Sequence, residues 1–188
     1  MTHGRLDEAR AIAEACLAGM GSRLVHVRSV GAKAERLVDK LGLRICVAEA
    51  AWLHDIGYSE GVLASGFHPL DGARWLSRRG WDPSVIGLVA HHSGAAVEAE
   101  ERGLAAELAL MPAADTQELD VLNLCDLTTS PDGREVTVEA RMTEILHRYP
   151  EEDAVHRAVL RSRAGMQASV LRVQARLRSA DVRSGVDG

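Results

Sequence analysis

Five of the eight histidines in this 188-residue chain fall between positions 26 and 92: His26, His54, His68, His91 and His92. His54 stands beside Asp55 in AWLHDIGYSE, a run that begins as an apolar helix. A second apolar run, VLNLCDL, carries Asp126 towards the interior as well. Taken singly, each has an ordinary explanation: a core histidine bonded to a carbonyl, or an aspartate capping a helix. Together they do not, because each unpaired buried charge costs on the order of several kcal/mol. A shared divalent cation removes most of that penalty, since carboxylates and neutral imidazoles are its natural ligands.

Helices must bring these residues together. Apolar spacing predicts a first helix over 5–19 and a second over 22–41, with Ser22 as its cap and Val27, Val30, Ala34, Leu37 and Leu41 as its stripe. A third runs from Arg44 through Ile56 to Gly57, and a fourth starts near Pro69 and ends at Gly80. Asp82 and Pro83 signal a fifth through SVIGLVAHH. Further helices are expected over 98–110, 116–127, 136–149 and 151–178, with a turn at SPDG. No strand pattern, internal repeat or long linker interrupts the series. The expected fold is therefore an all-α, compact helical bundle: one domain over 1–178, a core at about 20–150, and a disordered tail over 179–188.

Composition agrees. Apolar residues make up 46% and aromatics only 3%, so Ala, Leu, Val and Ile must build the core, which favours closely packed helices. A net charge of -5 argues against a nucleic-acid binder. Cys16, Cys46 and Cys125 are odd in number and far apart, which excludes a disulfide framework and fits a reducing cytoplasm. MTHGRLDEAR lacks the apolar run of a signal peptide, and no stretch is long enough to span a bilayer. A cytoplasmic location with no membrane partner is the expectation.

The ordered set His26 in RLVHVRSVG, His54-Asp55 in AAWLHDIG and Asp126 in LNLCDLTTS resembles the HD-domain superfamily of metal-dependent phosphohydrolases. The resemblance covers roughly 20–150. His68 in FHPLDGARWL and the His91-His92 pair in LVAHHSGA are similar to the additional ligands of the dinuclear branch, and the chain resembles small bacterial stand-alone members. On that resemblance His26, His54, Asp55 and Asp126 hold one divalent metal. Asp55 bridges to a second, held by His68 and one or both of His91 and His92. Iron or manganese is favoured, with zinc, nickel or magnesium as alternatives.

The resemblance implies hydrolysis of a phosphate ester or anhydride, with a nucleotide as substrate, through a metal-bound hydroxide. Asp55 would orient the nucleophile, and His68 or His91 would give the leaving oxygen its proton. Arg23, one turn before His26, is a candidate for binding phosphate, as are Arg141 and Thr129, the latter with its neighbours Thr128 and Ser130. Tyr58 is a further substrate-facing candidate, at a position after HDIG where many members carry lysine. SGAAVEAEERGL follows the paired histidines without the glutamate and GYP of the branch that degrades cyclic dinucleotides.

Two other functions compete. Some HD-fold proteins are mixed-valent di-iron oxygenases that cleave a carbon bond with dioxygen. Those acting on phosphonates often place Tyr and Glu shortly before the first histidine, and GMGSRLV has neither. A non-catalytic nucleotide-binding regulator is the other, and the last helix lends it some footing. Its stripe of Val155, Val159, Met166, Val170, Val173 and Leu177 offers a homodimer surface, although packing on the body is the preferred reading.

Overall fold

The computed structural model describes residues 3–184. Ten α-helices carry the fold: α1 His3–Cys16, α2 Ser22–Leu41, α3 Cys46–Leu53, α4 His68–Arg78, α5 Pro83–His91, α6 Ala95–Arg102, α7 Ala105–Leu108, α8 Thr116–Leu127, α9 Val138–Arg148 and α10 Ala154–Ser184. Short 3-10 turns at Ile56–Tyr58 and His92–Gly94 join α3 towards α4 and α5 to α6. The only extended pairing among the described residues is an isolated bridge between Thr129 and Glu135. The all-α expectation holds. No helix of the described residues is long and apolar enough to cross a membrane.

α3 is the central element. All eight of its residues are buried, and it packs against α1, α2, α5 and α8. Small side chains permit this closeness. Gly31 on α2 lies against the Trp52 ring, where an added Cβ would meet Trp52 Cε2 at 2.5 Å. The indole in turn donates from Nε1 to Glu35 Oε1 at 2.7 Å, and Arg10 of α1 donates to both Glu35 oxygens. Three helices thus meet around one carboxylate, and the register of α3 against α2 is fixed.

Several boundaries differ from the sequence reading, each for a local reason. α2 does begin at Ser22, but no side chain caps it; Gly21 precedes it at φ 53. Asp82 does cap α5, its carboxylate accepting from Ser84 N at 2.8 Å. The single helix expected over 98–110 is two, because Gly103 adopts the left-handed conformation (φ 70) and closes α6 there. α10 continues to Ser184, six residues into the stretch expected as a disordered tail; positions 185–188 lie outside the described residues.

The stripe of α10 lies against the body. Val159, Met166, Val170 and Val173 are buried, and Val155 and Leu177 are packed against the core. That face is consumed within the fold, in keeping with the reading that it packs on the body. Cys46 and Cys125 are free and buried, and burial pushes both thiols up to about 12.

Candidate metal centre

Five segments converge on one point. α2 contributes Arg23 and His26; the end of α3 contributes His54 and Asp55; α4 opens on His68; His92 follows α5; and Asp126 sits in the last turn of α8. Two groups result. The donor atoms of His26, His54 and Asp126 all lie within 4.8 Å of one another, and so do those of Asp55, His68 and His92. His26 Nε2 is 3.0 Å and His54 Nε2 3.9 Å from Asp126 Oδ1. Asp55 stands between the groups: Oδ2 is 3.6 Å from His54 Nε2, and Oδ1 is 3.4 Å from His68 Nε2. His68 Nε2 and His92 Nε2 are 3.3 Å apart.

An HD-domain family model matches residues 23–141, more than half of the chain, from Arg23 through both groups to Arg141. The chain belongs to the HD-domain family. Searches of curated proteins and of solved structures each found no match. The HD domain belongs to a superfamily of the metal-dependent phosphohydrolase type, whose members bind divalent metals.

The donor set of this HD domain fits such ions. His54 Nδ1 is 2.8 Å from Ala51 O, His92 Nδ1 is 2.8 Å from Val89 O, and His26 Nδ1 is 3.2 Å from Ser130 O. A carbonyl only accepts, so Nδ1 carries the proton in His54 and His92, and in the neutral ring Nε2 presents a lone pair towards the cluster. His26 stands between two acceptors, with Nε2 3.0 Å from Asp126 Oδ1. His54 Nε2 is fully buried and has no hydrogen-bond partner. A polar atom so placed is costly unless something binds it, and its neighbours are other lone pairs and carboxylates. A cation satisfies all of them at once.

The electrostatics point the same way. Burial would raise the Asp55 carboxyl, but the Arg23 guanidinium, donating at 2.7 Å, leads the groups that outweigh it and hold it well below the usual carboxylate range. Asp126 is likewise held low against burial, chiefly by the bond to His26 and the nearby His54. Burial pushes His68 well below its ordinary value against the pull of Asp55, and burial lowers His92 too. Ionised carboxylates beside neutral imidazoles are the protonation states that metal ligation requires.

The remaining sequence candidates divide. Arg23 Nη1 donates to Asp55 Oδ2 at 2.7 Å and lies over the Tyr58 ring at 3.8 Å from its centroid. Tyr58 stacks on His68, centroids 4.1 Å apart. This ring therefore braces an imidazole and a guanidinium. Arg141 lines the cleft beside the cluster. Two expectations need correction. His91 lies outside both groups, with Nε2 3.1 Å from Pro112 O, because adjacent residues on a helix diverge by about 100°; His92 is the one that converges. Thr129 donates its hydroxyl to Cys125 O at 2.7 Å, closing the end of α8, and does not line the cleft.

Sequence reasoning missed Ser93, Glu98, Arg148 and Tyr149, all of which line the cleft. Glu98 is raised above its ordinary range, burial outweighing its bond to Arg102. Ser93 is the one non-glycine residue with positive φ (48) among the described residues. That conformation turns its hydroxyl to donate to Asp126 Oδ2 and its amide to donate to Asn123 Oδ1 at 2.7 Å. Behind it, Asn123 donates to Ser169, Ser169 donates to Asp120, and Arg172 forks onto Asp120 at 2.7 and 2.6 Å. Asp126 is thus oriented through a buried polar chain that ends at the surface. Ser93→Ala is expected to weaken metal binding by about tenfold, as lost outer partners of a ligand do. Titration of the metal-stripped variant with manganese checks this; wild-type affinity would exclude the orienting role.

Proposed function

We propose that this HD domain hydrolyses a phosphate ester or anhydride of a nucleotide, using two divalent ions. The observation that supports it most is buried Asp55, a member of one three-residue donor group, whose Oδ1 faces His68 of its own group while Oδ2 faces His54 of the other. In this reading His26, His54 and Asp126 hold one ion, His68 and His92 hold the other, and Asp55 serves both. Mixed imidazole and carboxylate donors suit iron or manganese. Ions held there supply Lewis acidity to the phosphoryl oxygens and lower the pKa of the attacking water.

The protein's own groups do the rest. Arg23, fixed by Asp55 and Tyr58, presents its guanidinium to the cleft, where it meets a phosphoryl oxygen without having to be ordered first. Apolar residues of α9 and α10, among them Ile145, Val155, Val159 and Met166, line the cleft beside the donors and accept the nucleoside. Burial lowers His68 below its ordinary value, which suits a metal-holding role.

The test is removal and return of metal. Chelator-treated protein is expected to release no phosphate from a panel of nucleotides and phosphate esters, and manganese or ferrous ion added without oxygen is expected to restore release. Substrate-dependent oxygen uptake by the iron form, with no phosphate release in its absence, would instead establish an oxygenase.

A further inference from the structure

α9 carries three charged groups that the hydrolysis of a single phosphate does not require. Arg141 is 7% exposed, donates from Nη1 to Glu144, and leaves its Nε buried with no hydrogen-bond partner. One further turn on, Arg148 donates from Nη2 to the other oxygen of the same Glu144. Two guanidiniums therefore share one carboxylate, and one positive charge is left over.

Their location gives that charge a direction. Arg23, Arg141 and Arg148 all line the cleft that holds Asp55, His68, His92 and Asp126, and all three also line an adjoining recess with Ser22, His26 and Pro131. The arginines form the partition between the two spaces. Arg23 is already engaged by Asp55 at the reacting end. Arg141 helps hold Asp126 low across the cleft, but neither it nor Arg148 is hydrogen-bonded to a donor group, and a buried guanidinium N–H without an acceptor is unfavourable until an anion arrives. Fork-shaped guanidiniums match phosphate oxygens in pairs.

We propose that Arg141 and Arg148 form a second anion subsite, which takes a phosphate other than the one cleaved. The substrate class is then a nucleotide with at least two linked phosphates. This rests on the hydrolase reading of the same cleft. The reacting phosphate lies at the donor groups and Arg23; its neighbour extends along α9 to the arginine pair. Ile145, one turn after Arg141 on the same face, begins the apolar wall on which the nucleoside rests.

The experiment compares adenosine monophosphate with α,β-methylene-adenosine diphosphate, whose bridging carbon blocks cleavage, by calorimetric titration of the manganese-loaded full chain. Wild type is expected to bind the two-phosphate ligand about tenfold more tightly, and Arg148→Gln to erase that preference while leaving the monophosphate within about twofold. Arg148 is about one-third exposed, so the substitution leaves the fold intact, and an unchanged thermal midpoint verifies it. Arg148→Lys, which keeps the charge without the fork, is expected to fall between. Equal affinities in wild type, equal weakening of both ligands by Arg148→Gln, or no binding of either overturns the subsite. Arg148-dependent preference in a protein that releases phosphate from no nucleotide overturns the hydrolase reading and leaves the subsite standing. Phosphate release without any preference does the reverse.

Discussion

Asp55→Asn is expected to lower phosphate release by at least about a thousandfold, or roughly 4 kcal/mol of transition-state stabilisation. The substitution keeps the size of the side chain and removes the charge that both donor groups face. Metal content should fall with activity, and elemental analysis of the freshly purified variant reads it directly. The change also leaves Arg23 without its buried partner, and breaking such a pair costs about 3–5 kcal/mol in other proteins. Denaturant unfolding of the same preparation therefore belongs beside the assay, so that activity is compared only where the variant is folded. Activity within tenfold of wild type, with both ions retained, would remove Asp55 from the centre of the site.

Gly57→Ala carries the largest expected effect on stability. An added Cβ there would lie 2.0 Å from His68 O, 2.7 Å from its carbonyl carbon and 2.8 Å from its Cα. All three are backbone atoms, so no flexible side chain can move aside. The glycine is required by close approach: the turn after His54-Asp55 runs against the first residue of α4, and that contact sets His68 opposite Asp55. Overpacking of this kind costs about 3 kcal/mol or more when the backbone must yield. A lower urea midpoint is expected, together with a lower content of divalent metal in the purified variant by elemental analysis. Wild-type stability and full metal content would show that the turn relaxes freely.

Much of this site was legible because its residues violate the pattern around them. His54, Asp55 and Asp126 sit in runs that are otherwise apolar, and a buried charge in such a run needs a partner. The choice between His91 and His92 was not legible, since it depends on the phase at which α5 ends, and a single residue shifts that phase by about 100°. Thr129 misled because a hydroxyl after a functional aspartate reads equally as a ligand contact or a helix-end bond; only the short distance to Cys125 O decides. Ser93 carries no signature, because positive φ in a serine leaves no trace in composition. Arg148 and Tyr149 lie over 20 residues beyond Asp126, and the packing of α9 on α10 and α8 returns them to the cleft. In the fold, Gly103 was a readable helix stop that the sequence reading passed over, while the extension of α10 to Ser184 follows a stretch with few breakers.

The cleft draws its two walls from separate stretches of chain. Every donor atom comes from positions 26 to 126, whereas the α9 arginines and, Leu127 apart, the aliphatic lining come from 141 to 166. If the proposed function holds, chemistry and selectivity are nearly independent inheritances in this protein. On the proposed function, exchange of the stretch from position 141 onward is expected to redirect it to a different molecule without removing a donor, whereas changes before position 127 reach the donors themselves.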